Sequence, residues 1–384
     1  MTRFQQRLRD ERGMTLVMIG VGFLAFMSAT MLAIDVGQMM VARTQSQSAA
    51  DAGALAGAVA LAFDNYDDRS AGGPAVQNAL AAAKSVSNNV INAQSSVVPA
   101  DVTFPAIDKV RVVVQRSAAR GNPISMFIGP MIGINTANVG AIATAQVMPA
   151  NAMTCVKPFI IPDRWVENQT PPWDPSDTFD AFDKNGNPIA NPDVYIPKGD
   201  PANPNPNYSG YDQKRDTGTL LTLKAGTGNN IEPSFYFAWA IPGSGGASDY
   251  RWNIDNCNTT VVPFDFLATP EPGNMVGPTK QGMDGLIARD PSAYWDATNK
   301  RVVSDIHPSP RVVAIPVFDP VYYESGKVNG RNADLKAVNY IGFFIDRMQG
   351  NDVTGYITPI GGLYKGNGGP TPPGSFPKAI VLVE

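Results

Sequence analysis

The chain contains one histidine, His307, and this restricts the catalytic sites that the sequence can hold. A Ser-His-Asp triad or a histidine-based metal site would need this residue, and the prolines that follow it predict an exposed, rigid loop. Residues 243–245 (Gly-Ser-Gly) follow a candidate strand, but Pro242 stands at the first glycine position of a nucleophile elbow, and we expect no helix after it. Residues 277–280 lack the spacing of a phosphate-binding loop. The sequence therefore predicts no catalytic residue.

Two aspartate-led segments superficially resemble metal-binding loops. Residues 174–178 have the order Asp-x-Ser-x-Thr, but two prolines and Trp173 precede them where a metal site of this kind has a strand. Residues 183–187 are similar to half of a calcium loop, yet Ala181 at its first position has no side-chain oxygen, and Asn-Gly is also a turn signal. We predict a turn at residues 183–187, with bound calcium as the alternative, no metal at residues 174–178, and no cofactor.

Cys155 and Cys257 are the two cysteines of the chain. Neither lies in a C-x-x-C motif or beside the histidine, which argues against a zinc or redox site. Both fall in the region that we place outside the cytoplasm, where disulfides persist. We therefore predict a disulfide, which could stabilise the fold by up to about 4.7 kcal/mol by closing a loop of about a hundred residues. Two buried free thiols are the alternative.

An uncharged run, residues 14–34, has the length that a helix needs to cross a bilayer. A basic patch precedes it and places the N-terminus in the cytoplasm by the positive-inside rule. This patch consists of Arg3, Arg7, Arg9 and Arg12. A cleaved secretory signal is the main alternative, but its apolar region should be only about 7–15 residues long. A buried soluble helix is the third possibility.

The helical pattern continues through residues 35–62, so that anchor and stalk together would form a rod of roughly 70 Å. One face of the stalk is a polar stripe with a spacing of four residues. It consists of Arg43, Gln47 and Asp51. A second face is a seam of small residues, which consists of Ala49, Gly53 and Gly57. Because each helical glycine costs about 1 kcal/mol relative to alanine, we expect the seam to pack closely against another helix. Chance occurrence in an alanine-rich helix is the alternative.

The order of residues in this stretch resembles the TadE/TadG-like Flp pilus assembly proteins. The resemblance covers residues 10–62 and is carried by Asp35, Gly37, Arg43, Gln47, Ala49, Ala50, Asp51, Ala52, Ala54, Leu55, Ala56 and Gly57. Gly53 stands where alanine is more usual. The length of the chain is more similar to the TadG-related branch. Gly13-Met14-Thr15-Leu16 also looks like a prepilin cleavage site, but Met18 stands where those proteins carry glutamate, and we predict no such processing.

The remainder of the chain is predicted to be an α+β protein with a small α+β domain and a loop-rich, mainly β domain. The 33 prolines and 36 glycines of the whole chain lie mostly after residue 120, which is typical of loop-rich β architecture. The predicted divisions are a cytoplasmic N-terminus (1–13), a transmembrane helix (14–34), a stalk helix (35–62), an α+β domain (63–150) and a β-rich extracytoplasmic domain (151–384). The C-terminal segment 379–384 is apolar on both faces and is predicted to be a central strand.

The resemblance implies a non-catalytic component of a Tad/Flp pilus system, single-pass in the bacterial inner membrane, with its bulk in the periplasm or at the pilus. Its expected partners are other Tad/Flp pilus assembly proteins, and the resemblance implies that a helix of such a partner packs against the seam of Ala49, Gly53 and Gly57. The net charge of −4 does not predict the basic surface that binds nucleic acid. The alternative function is an exported adhesin or carbohydrate-binding module that recognises an external surface or glycan. Aromatic residues 235–239 could then form a sugar platform, although sheet core is the more common use of such a strand.

Overall fold

A computed structural model describes residues 11–63, 68–86, 96–183, 185–199, 205–226, 231–273, 275–327, 335–364 and 374–383. Its chain forms two compact units. Unit 1 comprises Met1–Val147 and Ile380–Glu384, and unit 2 comprises Met148–Ala379. The predicted stalk therefore shares a unit with the residues that follow it, and the last residues of the chain join that unit instead of the β-rich one.

The first element is a single long helix, α1, which spans Glu11–Phe63. It contains no proline and is rich in alanine, the residue with the highest helix propensity. At 1.5 Å per residue the helix is about 80 Å long. The predicted continuity between the apolar run and the alanine-rich stalk is confirmed.

Unit 1 packs the second half of α1 and a shorter helix, α2 (Pro74–Ser85), against an antiparallel sheet. Its first five strands are β1 (Val102–Thr103), β2 (Lys109–Arg116), β3 (Ile124–Ser125), β4 (Thr136–Ala137) and β5 (Val139–Pro149). Strand β2 pairs with β1 on one side and with β5 on the other, while β3 and β4 form a separate hairpin. The alternating valines at 110, 112 and 114 predict a strand over residues 109–115, and residues 139–148 are predicted to form another; both strands are confirmed. The helical spacing of apolar residues predicts a helix from Pro74 to about Gln94, but α2 ends at Ser85, and residues 87–95 lie outside the described residues.

The core of unit 1 is built from alternating valines of β2 and from alanines of the two helices. Val110, Val112 and Val114 are fully buried, whereas the residues between them are only half-buried. Alanines of α1 and β5, such as Ala54 and Ala143, are fully buried as well. Because alanine adds little bulk, the helices and the sheet can approach closely over the length of the stalk.

Unit 2 is mainly β, as the sequence predicts. Its strands are β6 (Ala152–Met153), β7 (Phe159–Pro162), β8 (Leu220–Ala225), β9 (Phe235–Ala240), β10 (Val262–Pro263), β11 (Phe266–Pro270), β12 (Tyr294–Asp296), β13 (Arg301–Val303), β14 (Val312–Phe318), β15 (Leu335–Gln349) and β16 (Asp352–Thr358). Its helices are α3 (Gln213–Asp216), α4 (Ala247–Asp255), α5 (Val276–Ala288) and α6 (Pro320–Lys327).

Strands β7, β9, β8, β16, β15 and β14 of unit 2 form a closed circuit. Each strand pairs with the next, and β14 returns to β7 by a parallel pairing, Val317 with Ile161. The shorter β11 pairs with both β15 and β9. Closure gives this sheet a barrel-like form, which removes the free edges that promote aggregation.

Two local predictions for unit 2 are wrong. Asp290 is a candidate helix cap and predicts a helix over residues 291–296, but residues 294–296 form β12, in which Tyr294 and Trp295 follow the strand preference of aromatic residues. No helix was expected after Gly243-Ser-Gly245, yet α4 begins at Ala247. The glycines before α4 supply a turn with positive φ at Gly243 and Gly246, and the helix begins directly after the second of them.

The C-terminal strand, β17 (Lys378–Leu382), belongs to the sheet of unit 1. It was predicted to be a central strand, and this is wrong, because β17 lies at the edge of the sheet beside β5. Only Ala379 of this strand is fully enclosed, and Leu382 is 44% exposed. An apolar run predicts a strand but does not distinguish an edge from a centre.

The predicted disulfide between Cys155 and Cys257 is present, with their Cα atoms 4.3 Å apart. Next to it, the buried Lys157 ammonium donates to the carbonyl oxygens of Asn253, Ile254 and Asn256 at 3.2, 2.6 and 2.9 Å. These carbonyl groups lie at the C-terminal end of helix α4, where a cation interacts favourably with the helix dipole. Burial lowers the pKa of the Lys157 ammonium to about 7. Disulfide and lysine together hold the end of α4 beside the segment that leads into β7.

The Lys157 contact predicts a pH dependence of stability in unit 2. The pKa of Lys157 is lower in the folded chain than in the unfolded chain. Between about pH 7 and pH 10 the unfolded chain therefore binds one more proton than the folded chain, and the free energy of unfolding should rise with pH over this interval. Lys157→Met should remove this rise and cost about 1–3 kcal/mol, because carbonyl groups lose their donor. Denaturation of the full chain in detergent, followed by tryptophan fluorescence, measures it. The exposed Lys280→Met is the control and should keep the slope.

Candidate membrane and assembly site

The first half of α1 presents apolar side chains that no other part of the described chain covers. From Gly13 the helix has a window of mean hydropathy 2.2 in which no residue is buried. Leu16 is 76% exposed, Leu24 66% and Phe26 70%. Exposure of so many large apolar groups is unfavourable in water, and the helix is long and apolar enough to cross a membrane.

Asp35, the first residue after the uncharged run, marks the point where α1 joins unit 1. Its side chain is buried and accepts three backbone hydrogen bonds: from Phe127 at 2.6 Å, Ile128 at 2.9 Å and Gly129 at 3.4 Å. Burial raises the pKa of the Asp35 carboxyl, but the three donors together lower it by more, so the pKa lies below its usual range. The carboxylate therefore stays ionised and fastens the segment between β3 and β4 to the helix.

The polar stripe on α1 lies partly against the sheet. Gln47 donates through Nε2 to Asp51 Oδ1 at 2.8 Å and to the Ile142 carbonyl oxygen of β5 at 3.2 Å. Arg43, one turn earlier, is exposed. The stripe thus divides into a pair that contacts unit 1 and an arginine that faces solvent.

The seam of Ala49, Gly53 and Gly57 packs closely, and its neighbour belongs to the same chain. A Cβ atom at Gly53 would lie 3.1 Å from the Ala79 carbonyl oxygen of α2, and one at Gly57 would lie 2.8 Å from Val110 Cγ1 of β2. Ala49 is fully buried. We expected a helix of another protein at this seam; this expectation is corrected, because α2 and β2 already occupy the space.

Comparison with known protein families gives one match, to α1. Residues 13–60 match the model of a family described as TadE/G-like in Flp pilus assembly. This segment is a TadE/G-like domain. Neither a curated protein nor a solved structure matches the chain. The domain thus covers about an eighth of the 384 residues, and the match does not separate TadE-like from TadG-like proteins.

The TadE/G-like domain includes both halves of α1, the exposed apolar half and the half packed in unit 1. Asp35 and Gly37, which carried part of the resemblance, lie at the transition between the two halves. The glycines of the seam belong to the packed half, where they allow α2 to approach. The match of residues 13–60 to this family model supports a role in pilus assembly, and the assignment to the TadG-related branch stays a prediction.

The motifs that could have held a metal form turns. Asp174 Oδ1 accepts hydrogen bonds from the Ser176 backbone and hydroxyl at 2.9 and 2.6 Å. Asp183 Oδ1 accepts from the backbone N–H groups of Asn185 and Asn187 at 2.8 and 2.9 Å. Both aspartates use their oxygens to close local turns, and the turn predicted at residues 183–187 is present. Among the described residues no group of three or more His, Cys, Asp or Glu side chains could hold a metal.

The residues considered for catalysis and glycan binding have other surroundings. Ser244 Oγ donates to the Ile241 carbonyl oxygen at 3.1 Å and accepts from Asn253 Nδ2 at 2.9 Å. Both hydrogen bonds of this hydroxyl group therefore stabilise the local structure. His307 is exposed. In strand β9, Trp239 is buried and the half-buried Phe237 packs against Phe318 and Tyr323, so these two rings contribute to the core of unit 2.

The contact between Asp35 and residues 127–129 was not predicted. Its donors are backbone N–H groups, which leave no mark in the sequence beyond the apolar, glycine-containing segment to which they belong. The buried Asp163 of unit 2 was not predicted either. It accepts from the hydroxyls of Tyr195 and Tyr208 and from the Tyr211 backbone, and burial raises the pKa of its carboxyl to about 6. Its position directly after the apolar segment Phe159–Pro162 is the signal that could have indicated it.

Asp35→Ala should release the segment between β3 and β4. The variant leaves three backbone donors without their carboxylate, a loss of about 1–3 kcal/mol. Hydrogen exchange at residues 127–129 should therefore accelerate. Since the pKa of Asp35 is depressed on folding, protection in the parent protein should persist at neutral pH and disappear only when pH falls below the ordinary carboxyl range. Asp51→Ala is the control and should leave exchange at residues 127–129 unchanged.

Proposed function

We propose that this protein is a non-catalytic component of a Tad/Flp pilus assembly system, anchored in the bacterial inner membrane by a single helix. The TadE/G-like domain carries the proposal. Residues 14–34 would cross the bilayer with the N-terminus in the cytoplasm. The part of unit 1 that follows residue 34, together with unit 2, would lie on the other side of the membrane, in the periplasm or at the pilus. The Cys155–Cys257 disulfide supports export, because disulfides persist in oxidising compartments.

The surface proposed for partner proteins is the face of α1 that unit 1 leaves open beyond the membrane. Val36, Met40 and Val41 are 41%, 68% and 47% exposed. They follow Asp35 and would lie outside the hydrocarbon, where exposed apolar side chains gain stability by contact with another protein. Arg43, also exposed, lies beside them and could pair with an acidic group of a partner. This open face takes the place of the glycine seam as the expected contact with other pilus proteins.

Met40→Asp tests the open face. The change should abolish pilus formation and co-purification with other pilus assembly proteins, because a carboxylate would be desolvated in the contact. Its level in the membrane should equal that of the parent, since Met40 is exposed and does not support unit 1. Val59→Asp is the matched control, an exposed apolar position (46%) near the other end of the same helix, and it should assemble normally. Normal assembly of both variants would contradict a partner role for this face.

The anchor is tested by fractionation and by topology. The protein should remain with the inner membrane after a carbonate wash, and alkaline phosphatase fused after Val383 should be active only outside the cytoplasm. A soluble chain that begins near Asp35 would instead indicate a cleaved signal sequence. Phosphatase activity confined to a fusion before residue 13 would reverse the proposed orientation.

A further inference from the structure

The hairpin of β3 and β4 carries an apolar connection whose role the proposed function leaves open. Residues 126–134 contain no charged side chain, and the whole stretch 121–156 contains none. Phe127 is 63% exposed and Ile134 51% exposed. A soluble loop normally carries polar residues at such positions, so two exposed large apolar side chains on one short connection point to a contact outside the described chain.

This connection has a defined shape of its own. The Met126 N–H donates to the Asn135 carbonyl oxygen at 3.1 Å, and the Ile134 N–H donates to the Gly129 carbonyl oxygen at 2.8 Å. A Cβ atom at Gly129 would lie 2.1 Å from the Ile134 carbonyl oxygen, so only glycine fits this turn. The backbone is therefore closed on itself, and exposing Phe127 and Ile134 to a ligand costs little ordering entropy.

Asp35 fixes where this connection lies along α1. The aspartate directly follows the uncharged run, and it holds the backbone of Phe127, Ile128 and Gly129. Burial of α1 residues begins still earlier, at the half-buried Met31. Unit 1 thus reaches the last turn of the apolar run, at the depth where the helix would leave the hydrocarbon.

We propose that residues 126–134 are a second membrane contact, which sits in the boundary between lipid headgroups and acyl chains beside the point where α1 emerges. The inference rests on the proposed anchoring by residues 14–34. Phe127 and Ile134 would enter the acyl region, while the neighbouring Asn135 and Thr136 stay among the headgroups. Apolar groups of interfacial elements reach about 5–10 Å into this boundary.

The position of residues 126–134 beside Asp35 favours lipid over a protein partner as the ligand of this connection. A loop fastened to the first residue after a membrane-spanning run must lie at the membrane surface, whatever other proteins are present. The nearest charges along the chain are Arg120 and Lys157, so no carboxylate or ammonium of the connection itself needs to be desolvated. The consequence is a two-point attachment that fixes the tilt and rotation of unit 1 relative to the bilayer.

Site-specific labelling of the full chain in vesicles tests the proposal. Because both native cysteines form the disulfide, a single introduced cysteine can carry the environment-sensitive dye NBD. Phe127→Cys and Ile134→Cys report on the connection, and Leu24→Cys reports on the anchor. Ile107→Cys is the matched control, since Ile107 is 66% exposed in another loop of unit 1. The Ile107 loop leads into β2, the strand that contacts Gly57. Gly57 lies about 33 Å along α1 from Asp35.

The labelled proteins are placed in vesicles of phosphatidylethanolamine and phosphatidylglycerol that contain nitroxide lipids. Labels at positions 127 and 134 should emit at shorter wavelength than the label at 107 and lose most of their intensity to nitroxides near the headgroups. The label at 24 should be quenched most by nitroxides near the bilayer centre. The inference would be overturned if the labels at 127 and 134 behave like the label at 107 while the label at 24 is quenched. This result would still support the anchor.

Two further outcomes also overturn the inference. If the label at position 24 is not quenched, the anchor itself has failed, and with it the membrane contact. If labels at 127 and 134 are shielded from aqueous iodide only after pilus assembly proteins are added, the connection binds a protein and not lipid. Hydrogen exchange at residues 127–129 in each labelled protein checks that the connection remains fastened to Asp35.

Discussion

A leucine at position 57 is expected to disrupt the fold of unit 1. A Cβ atom alone would lie 2.8 Å from Val110 Cγ1 and 3.1 Å from the Ala75 carbonyl oxygen, and a backbone oxygen within a helix cannot move aside. The remaining atoms of the leucine side chain have no space between α1, α2 and β2. We expect Gly57→Leu to lower the free energy of unfolding by more than about 3 kcal/mol, the upper end of the usual cost of overpacking. Hydrogen exchange of α2 and β2 amides in the full chain measures the loss.

Gly37→Leu is the matched control on the same helix. No heavy atom lies within 4 Å of a Cβ atom at Gly37, so the leucine meets open space. The variant should keep the protection of α2 and β2 and gain helix propensity, because leucine is a much better helix former than glycine. Equal protection in the Gly57 and Gly37 variants would show that the seam is not closely packed within the chain.

Loss of the disulfide is expected to have the second large effect, which begins in unit 2. Cys155 and Cys257 are separated by 102 residues, and removing such a cross-link costs about 2–5 kcal/mol. The double change of both cysteines to serine avoids a free thiol. The five tryptophans of the chain all lie between residues 165 and 295, so their fluorescence in denaturant reports the unfolding of unit 2 alone.

A reducing agent supplies the control for this experiment. It should lower the denaturation midpoint of the parent protein to that of the double serine variant, and it should not affect the variant. An unchanged midpoint in the parent, together with two free thiols found by mass mapping, would contradict the disulfide.

The sequence was sufficient to predict elements that depend on local pattern. The length of α1 follows from the absence of proline and turn residues, and the seam of Gly53 and Gly57 correctly indicated a close neighbour. The identity of that neighbour could not be predicted, because a small-residue pattern specifies how near another backbone comes and not which one it is. Helix α2, which begins at Pro74, is near in sequence and provides that backbone.

Features that depend on long-range pairing could not be predicted from the sequence. Asp35 accepts from residues more than ninety positions away, through backbone groups that every residue possesses. The closure of the barrel depends on the parallel pairing of β7 with β14, about 150 residues apart, which no local pattern encodes. The helix α4 was missed because its first turn follows a glycine-rich turn and its residues are mostly polar.

The insertion of unit 2 into unit 1 couples the two in a way that needs no contact between them. Strands β5 and β17 are neighbours, yet the entire second unit separates them along the chain. While unit 2 is folded, it acts as a short link between its two ends. When it unfolds, β17 becomes the end of a flexible loop of more than two hundred residues, and its return to the sheet carries the full entropy of loop closure. Reduction of the disulfide should therefore increase the fraying of β17 in the sheet of unit 1.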